Sequence, residues 1–405
     1  MNDIELLDCF PLKILVTCVN NLNLFEESNF NLIKDLDVEN QLNSIDWSFV
    51  NREKAHPIES LHPYPAKFIG ELPRSLIKTF NNGLPVLDPF SGSGTTLMEA
   101  QRLGLEAVGI DLNPIACLIT KVKTSETPAK LLESADEIVM SAQGRSSSLE
   151  LDIPNIDHWF KKDIQEAIVV LLEEIQKFKD DEGLFNVLRL SLSSILVKVS
   201  NQDSDTRYAA VEKNITAKDV FSNFLNAVKK IHKSLLARTW TLKDVQLIHA
   251  NTLEVKAEHF NKNIGMVVTS PPYPNAYEYW LYHKYRMWWL GFDPLKVKEK
   301  EIGARAHFFK KNAHTEENFW HQMDGTFDLI DNVLVDKGYA AFVIGRSKIK
   351  GKIIDNADII QDVASQHGYT KTARIERIIS SKSKSFNPSY GNIKTETVLV
   401  LQKQK

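Results

Sequence analysis

The sequence predicts an α/β protein with a Rossmann-like sheet and an all-helical insertion. The first observation is the stretch VLDPFSGSGTT at 86–96, an apolar strand that ends in an acid, followed by a glycine turn and a helix start. The second is AVGID at 107–111, another apolar strand ending in an acid. The third is a contrast, because strands and helices follow one another over 245–405, whereas 127–244 has only helical periodicity.

Composition places the chain among ordinary globular proteins. Its 405 residues suffice for a large core, and 43% hydrophobic with 25% charged residues is typical of soluble domains. No apolar run could span a bilayer, and the first ten residues carry acids where a signal peptide carries positive charge. Three widely spaced cysteines form no CxxC pair. We therefore expect a cytoplasmic protein with no membrane partner and no metal.

Charge is distributed unevenly. The net charge is −3, yet residues 337–405 hold 13 Lys and Arg against 5 Asp and Glu. This stretch is either a solvated basic surface or a surface that faces phosphates. The polar stretch 200–216 is likewise either a solvated loop or a loop that contacts nucleic acid. The candidate nucleic-acid contacts are Arg207, Lys213, Arg346, Lys348, Lys350 and Lys352.

The elements fall into four consecutive regions. Residues 1–44 form an N-terminal cap or arm with no assignable chemistry, and 45–126 form the first part of the α/β domain. Helical periods within 127–244 predict an insertion, a possible DNA-recognition region, and 245–405 complete the domain. The predicted insertion helices are Lys130–Gln143, Asp163–Lys179, Leu184–Val199 and Asp219–Ala237.

The end of the chain predicts a closing hairpin. After a helix over 356–367, strands over 370–379 and 396–402 follow each other with no helix between them. The preceding segment, GRSKIKGKIID at 345–355, is predicted to be a basic loop.

The glycine turn indicates a nucleotide-like ligand. Gly92 and Gly94 allow close backbone approach, and the turn leads to a helix N-terminus with unpaired N–H groups. The turn lacks both the third glycine of a dinucleotide fingerprint and the Gly-Lys-Ser/Thr of a P-loop, so a phosphate is not demanded. Asp88 offers a carboxylate. Asp111 stands at the end of the second strand, the position at which an acid binds ribose hydroxyls in dinucleotide folds. S-adenosyl-L-methionine, with an amino acid end and a nucleoside end, fits this set.

A second motif, Ser270–Tyr273 (SPPY), ends the strand at 265–269. Its two prolines break the strand and leave carbonyls pointing outward, on the sheet edge that also carries the glycine turn. The Pro271 carbonyl and the Ser270 hydroxyl can hold the hydrogens of an amine on a planar ring, and Tyr273 can stack on that ring. Among the aromatic residues that follow, only Tyr273 is predicted to be functional.

Together, LDPFSGSGTT and TSPPY resemble the amino-methyltransferases of DNA, which methylate exocyclic nitrogens. HPYPAKF at 62–68 looks like that family's extra cofactor segment, although a packed turn before a helix is the plainer interpretation. The resemblance implies a seven-stranded, mostly parallel S-adenosylmethionine-dependent methyltransferase sheet with a reversed last strand. It implies the catalytic residues Ser270, Pro271, Pro272 and Tyr273. The implied cofactor-binding residues are His62, Tyr64, Lys67, Phe68, Asp88, Pro89, Phe90, Ser91, Gly92, Gly94, Thr95, Asp111, Leu112, Asn113 and Asn251.

The resemblance further implies double-stranded DNA as substrate, base flipping and direct transfer of the methyl group. Ser270 favours N4 of cytosine over N6 of adenine, because SPPY usually accompanies the cytosine enzymes. A restriction endonuclease or another defence component is a possible partner. Two features depart from the family pattern: Asn251 replaces an expected acid, and the insertion precedes SPPY. A methyltransferase acting on structured RNA and a non-catalytic DNA-binding subunit are the alternatives.

Overall fold

The computed structural model describes two units, Met1–Asp46 and Trp47–Lys405. The part of the first unit that is described contains a helix over 38–44. All other elements below belong to the second unit. The structure describes residues 38–52, 54–65, 69–147, 152–205, 209–275, 278–308, 313–379 and 395–405.

A seven-stranded sheet forms the centre of the second unit. Its order is β3-β2-β1-β4-β5-β9-β8, and a separate two-stranded sheet contains β6 and β7. β1 to β5 pair in parallel, whereas β9 runs antiparallel to both β5 and β8. The predicted mostly parallel sheet with a reversed last strand is therefore confirmed. The strands are β1 Val86–Asp88, β2 Ala107–Asp111, β3 Val245–His249, β4 Ile264–Thr269, β5 Leu334–Gly345, β6 Ser347–Ile349, β7 Lys352–Ile354, β8 Tyr369–Ile378 and β9 Thr395–Lys403.

The pairing of β1 brings distant parts of the sequence together. On one side Val86 is in register with Ala107 of β2, and on the other it is in register with Met266 of β4. Because the three strands are parallel, their carboxyl ends meet at one edge of the sheet. The glycine turn, Asp111 and the SPPY motif therefore emerge side by side, at the edge where open α/β sheets bind ligands.

Helices cover the sheet and form the region between β2 and β3. Residues 127–244 contain α4 to α8 and no named strand among their described residues, in agreement with the helical periodicity of the sequence. Their apolar faces pack into one core cluster with α3 and α9, while a second cluster joins the central strands to α11 and α12. The helices are α1 Glu71–Phe80, α2 Thr95–Arg102, α3 Pro114–Thr124, α4 Leu131–Ala142, α5 Ile156–Trp159, α6 Lys162–Gln176, α7 Glu182–Ile195, α8 Ala217–Leu236, α9 Tyr279–Trp289, α10 Pro294–Lys300, α11 Glu316–Val333 and α12 Asn356–Gln366.

The segment predicted as a basic loop is instead the hairpin of β6 and β7. Ser347 pairs with Ile354, and the turn is formed by Lys350 at φ 46° and Gly351 at φ 86°. Two consecutive residues with positive φ match the right-handed twist of a hairpin. A lysine at the first turn position hid this turn, because asparagine, aspartate and glycine are the residues that usually signal it.

Candidate active site

The glycine turn is braced from beneath by Asp88. This fully buried carboxylate accepts hydrogen bonds from the Phe90 N–H at 3.1 Å and from the Thr269 hydroxyl at 2.6 Å. Burial raises the pKa of Asp88 to about 6, and the hydrogen bonds partly oppose that rise. Asp88 thus joins the end of β1 to the end of β4 and positions the turn between them.

Each glycine of the turn has its own geometric reason. Gly92 has φ 50° and Gly94 has φ 76°, both in the left-handed region that glycine tolerates. A Cβ on Gly94 would lie 2.6 Å from Oγ1 of Thr120, so α3 packs directly against this position. Gly94 therefore serves the packing of the turn on α3, and Gly92 faces the cavity described below.

Asp111 connects the second strand to the turn. Its Oδ2 accepts the Gly92 N–H at 2.7 Å, and its Oδ1 accepts the Asn113 N–H at 2.8 Å. Desolvation raises the pKa of Asp111 to about 6, against the effect of these two hydrogen bonds. Each oxygen keeps a further lone pair, so the carboxylate can also accept hydroxyl hydrogens from a ligand.

A cavity opens above these residues. It lies at the carboxyl ends of β1, β2 and β4 and is bounded on the far side by α9 and by the end of α10. The lining residues are Tyr64, Phe90, Ser91, Gly92, Ser93, Thr95, Asp111, Leu112, Asn113, Asn251, Thr252, Ser270, Pro272, Tyr279, Val297, Lys300, Glu301 and Ile302.

The SPPY motif contributes Ser270 and Pro272 to the same cavity. The Tyr273 ring instead packs on Gly345 at the end of β5, where an added Cβ would lie 2.9 Å from the ring carbon Cε2. The Tyr273 hydroxyl donates to Oε1 of Glu396 at 3.2 Å. Burial and this carboxylate raise the pKa of Tyr273, and a hydrogen bond with the Ser270 side chain acts in the opposite direction. The phenol therefore stays protonated and bonds both side chains.

One wall of the cavity comes from residues that the sequence analysis did not select. Glu301, at the end of α10, accepts the N–H groups of Tyr279 and Trp280 at 2.9 and 2.8 Å. Burial raises the pKa of Glu301 to about 8. Tyr279 stacks on Tyr64 at 5.8 Å between ring centroids, and His283 stacks on the same ring at 5.1 Å. The single sequence signal for this wall was its closeness to SPPY.

Two buried polar atoms of the cavity residues lack partners among the described residues. They are Oγ of Ser91 and Nδ2 of Asn113, whose Oδ1 already accepts the Ile115 N–H. A buried donor or acceptor without a partner is costly, so a polar ligand at this position would stabilise the site. With the Asp111 carboxylate and the Phe90 and Tyr64 rings beside them, the donor set fits S-adenosyl-L-methionine.

Several residues predicted for the site lie behind the cavity surface. His62 is buried and contacts the Pro63 carbonyl and the Ser193 hydroxyl, at 2.6 and 3.0 Å. The Pro89 carbonyl accepts from Thr252, a cavity residue that the sequence analysis did not select. Lys67 and Phe68 lie outside the described residues. The described predicted residues that do not line the cavity are His62, Asp88, Pro89, Gly94, Pro271 and Tyr273.

The candidate nucleic-acid contacts have different surroundings. The half-buried Lys213 donates to the Val197 carbonyl at 2.9 Å, and desolvation lowers its pKa. Arg346 pairs with Asp355, and Lys352 pairs with Glu316. Lys348 and Lys350 are exposed on the β6–β7 hairpin. Arg207 lies outside the described residues.

No helix within the described ranges is long and apolar enough to cross a membrane. The described His, Cys, Asp and Glu side chains form no group of three or more that could hold a metal ion.

Comparisons with known proteins agree with this geometry. Residues 24–122 match the N6/N4 methyltransferase family model, described as DNA methylase. The Type II methyltransferase M.MvaI of Kocuria varians is 25% identical over 256 residues, 56% of this chain and 56% of the relative. The Type II methyltransferase M.BsoBI of Geobacillus stearothermophilus is 26% identical over 286 residues, 61% of this chain and 56% of the relative. The chain thus spans somewhat over half the length of these curated relatives.

Among solved structures, the rRNA methyltransferase aviRa of Streptomyces viridochromogenes is 10% identical to this chain. It covers 87% of this chain and 93% of its own, with a TM-score of 0.34, a likeness too low to add to the assignment.

The sheet order and the cavity at the ends of β1, β2 and β4 define a Rossmann-like α/β fold with a site whose lining fits S-adenosyl-L-methionine. Residues 24–122 are thus similar to the N6/N4 DNA methylase family, and between 56% and 61% of the chain is similar to two Type II methyltransferases.

Proposed function

We propose that this protein transfers a methyl group from S-adenosyl-L-methionine to the exocyclic N4 amine of cytosine in double-stranded DNA, at a specific sequence. The observation that carries the proposal is the shared cavity, which has Ser270 of SPPY on one side and the glycine turn with Asp111 on another. The description of the matching family model, DNA methylase, supports DNA as the substrate.

On this proposal the cofactor occupies the glycine-turn side of the cavity. Asp111 accepts its ribose hydroxyls, and Phe90 and Tyr64 contact its adenine ring. Ser91, Asn113 and the backbone of the turn bind its remaining polar groups. When bound, S-adenosyl-L-methionine supplies an electrophilic methyl group on a sulfonium.

The target amine is held by acceptors of the SPPY loop. The Ser270 hydroxyl donates to the Tyr273 oxygen, because the Tyr273 proton is directed to Glu396. The lone pairs of Ser270 Oγ are then free to accept one amine hydrogen, and the carbonyl of Pro271, which lies between the cavity residues Ser270 and Pro272, accepts the other. Held in this way, the nitrogen keeps its lone pair out of the ring and available for attack. Because the base must leave the duplex to reach the cavity, the proposal includes base flipping.

The proposal is tested by expressing the chain in a methylation-free bacterial host and reading the genome for modified bases. The expected result is N4-methylcytosine at one short motif. N6-methyladenine at one motif would replace cytosine by adenine as the target, an assignment that the N6/N4 family equally contains. Radiolabelled methyl transfer to purified RNA but not to DNA would refute DNA as the substrate.

The role of Ser270 has its own test. Ser270→Ala removes one acceptor of the amine, so we expect kcat to fall by about 10-fold to 100-fold, the effect of about 1.5–3 kcal/mol. Cofactor affinity, measured by calorimetry, should stay within about twofold of wild type. Ser365→Ala, whose hydroxyl bonds the Asp362 carbonyl on α12, is the matched control and should leave both quantities unchanged. Undiminished transfer by Ser270→Ala would refute the acceptor role.

A further inference from the structure

We propose that the β6–β7 hairpin is a DNA-contacting element, and that Asn275 couples it to the catalytic loop. The inference rests on the proposed function, because it takes DNA as the polyanionic partner that the hairpin binds. It adds a binding surface of defined shape and a positioning residue, Asn275, that the sequence motifs did not indicate.

The hairpin is firmly attached to the domain. Nδ2 of Asn356, a fully buried residue, donates to the Gly345 carbonyl and to the Ser347 hydroxyl, both at 2.7 Å. On its inner face Ile349 and Ile354 pack in a small cluster with Phe308. The base and one face are therefore held, and the other face is left to solvent.

The outward face combines cations with an apolar side chain. Lys348 lies directly opposite Ile353 across the two strands, and Ile353 is 70% exposed. Lys350 is exposed at the turn. Within the described residues, neither lysine side chain takes part in a hydrogen bond or an ion pair.

The neighbouring cations are already paired. Lys352 lies within 3.2 Å of Glu316, and Arg346 is 3.3 Å from Asp355 and 3.7 Å from Glu376. Among the described cations of the hairpin, those available to a partner are therefore Lys348 and Lys350. Two adjacent cations beside an exposed aliphatic side chain suit the phosphates and sugars of a duplex.

Asn275 joins this hairpin to the catalytic loop. It lies two residues after Tyr273, is 8% exposed and has a left-handed backbone with φ 59°. Its side-chain Nδ2 donates to the Lys348 carbonyl at 2.7 Å, and its backbone N–H donates to the Gly303 carbonyl at 3.0 Å. Its Oδ1 has no hydrogen-bond partner among the described residues.

This arrangement connects three parts of the molecule. Gly303 follows Glu301 and Ile302 of the cavity wall, and the Tyr273 ring packs on Gly345, immediately before the hairpin. A force applied to Lys348 by a bound duplex is therefore transmitted through one short hydrogen bond to the loop that holds Ser270. Engagement of DNA by the hairpin would order the catalytic loop.

The binding surface is tested by fluorescence anisotropy of a labelled random-sequence duplex, without cofactor, over a range of salt concentrations. The double variant Lys348→Ala/Lys350→Ala should weaken binding and reduce the salt slope by about two, since each phosphate contact contributes about 0.9. Ile353→Ser should weaken binding without changing the slope. The matched double variant Lys371→Ala/Lys405→Ala, with the same charge change outside the hairpin, should behave as wild type. An unchanged slope for the hairpin lysine variant, or tighter binding of a matched RNA duplex, would overturn the assignment.

The coupling is tested at Asn275. Asn275→Gly keeps the left-handed backbone and removes the side-chain hydrogen bond to the Lys348 carbonyl. Asn275→Asp keeps the shape of the side chain but loses the N–H donor of that bond. Both should leave duplex affinity within about twofold and lower kcat by about tenfold, without a matching rise in KM for DNA. Hydrogen exchange should show that the duplex protects both the hairpin and residues 270–275 in wild type, but only the hairpin in Asn275→Gly. Equal protection of the loop in both proteins would overturn the coupling.

The two proposals fail separately. If wild type binds the duplex with the expected hairpin dependence but transfers no methyl group to DNA, the proposed function is wrong and the surface stands. If wild type methylates DNA and the hairpin variants bind as wild type, only the hairpin inference is wrong.

Discussion

Two buried aspartates at the glycine turn allow a direct test of cofactor binding. Asp88 and Asp111 each brace the turn with hydrogen bonds, and burial raises the pKa of each to about 6. Of these two aspartates, only Asp111 lines the cavity. Asp88→Asn and Asp111→Asn therefore make the same chemical change in similar surroundings, with different access to a ligand.

The expected magnitudes follow from the contacts. In Asp111→Asn, the amide cannot accept from both the Gly92 and the Asn113 N–H groups and also accept a ribose hydroxyl. A hydrogen bond to a charged group contributes about 1.5–3 kcal/mol, so cofactor affinity should fall by about 10-fold to 100-fold. In Asp88→Asn the free energy of unfolding should fall by a similar amount, about 1.5–3 kcal/mol. Cofactor affinity should change less than about threefold.

The assays are calorimetric titration with S-adenosyl-L-methionine and urea unfolding of both variants. Wild-type affinity should also fall as the pH is lowered through about 6, because the protonated Asp111 carboxyl is a poorer acceptor. Asp111→Asn should lack this pH dependence. Equal losses of affinity in the two variants, or unaltered affinity in Asp111→Asn, would show that Asp111 acts only as a brace of the turn.

Two further predictions concern stability. Gly94→Ala combines a left-handed backbone with a Cβ 2.6 Å from a threonine hydroxyl of α3, so urea unfolding should show a loss of about 2–4 kcal/mol. Gly104→Ala, at φ 79° with open space around the added Cβ, should lose only about 1–2 kcal/mol, and equal losses would refute the steric argument. Burial lowers the pKa of His367, but hydrogen bonds with Asp324 and Asp331 outweigh it and raise the pKa overall. The stabilisation of the fold by protonated His367 should be complete below the unfolded-state pKa and lost as the pH rises through the folded-state pKa. His367→Asn should remove that pH dependence of unfolding. A variant that retained it would refute the role of His367.

The glycine turn, Asp111 and the SPPY motif could be predicted from the sequence, because each is encoded by a short local pattern. A few neighbouring residues are enough to predict a strand that ends in an acid and the turn that contains Gly92 and Gly94. The order of the two motifs along parallel strands then places them at one sheet edge. The positions of the four predicted insertion helices were equally local, since each helix has an apolar face of helical period, although their ends differ from the structure by up to four residues.

The far wall of the cavity could not be predicted in this way. Glu301 and Tyr279 reach the site because α9 and α10 pack against the domain, and no short pattern encodes that approach. Asn275 carries no motif either, since its importance lies in a bond to the Lys348 carbonyl, 73 positions away. The hairpin itself was hidden by its lysines, which point outward in the structure but indicate a solvated loop in the sequence.

The hydrogen bond from Thr269 to Asp88 joins residues 181 positions apart, and it has a consequence for the order of assembly. During synthesis, β1, its glycine turn and β2 leave the ribosome long before β4 exists. Until β4 pairs with β1, the carboxylate under the turn lacks one donor and the cavity lacks its SPPY side. Long-range pairing of this kind is slow compared with local helix formation. The helical insertion therefore leaves the ribosome before the sheet can close, and the cavity gains its SPPY side only once β4 has paired with β1.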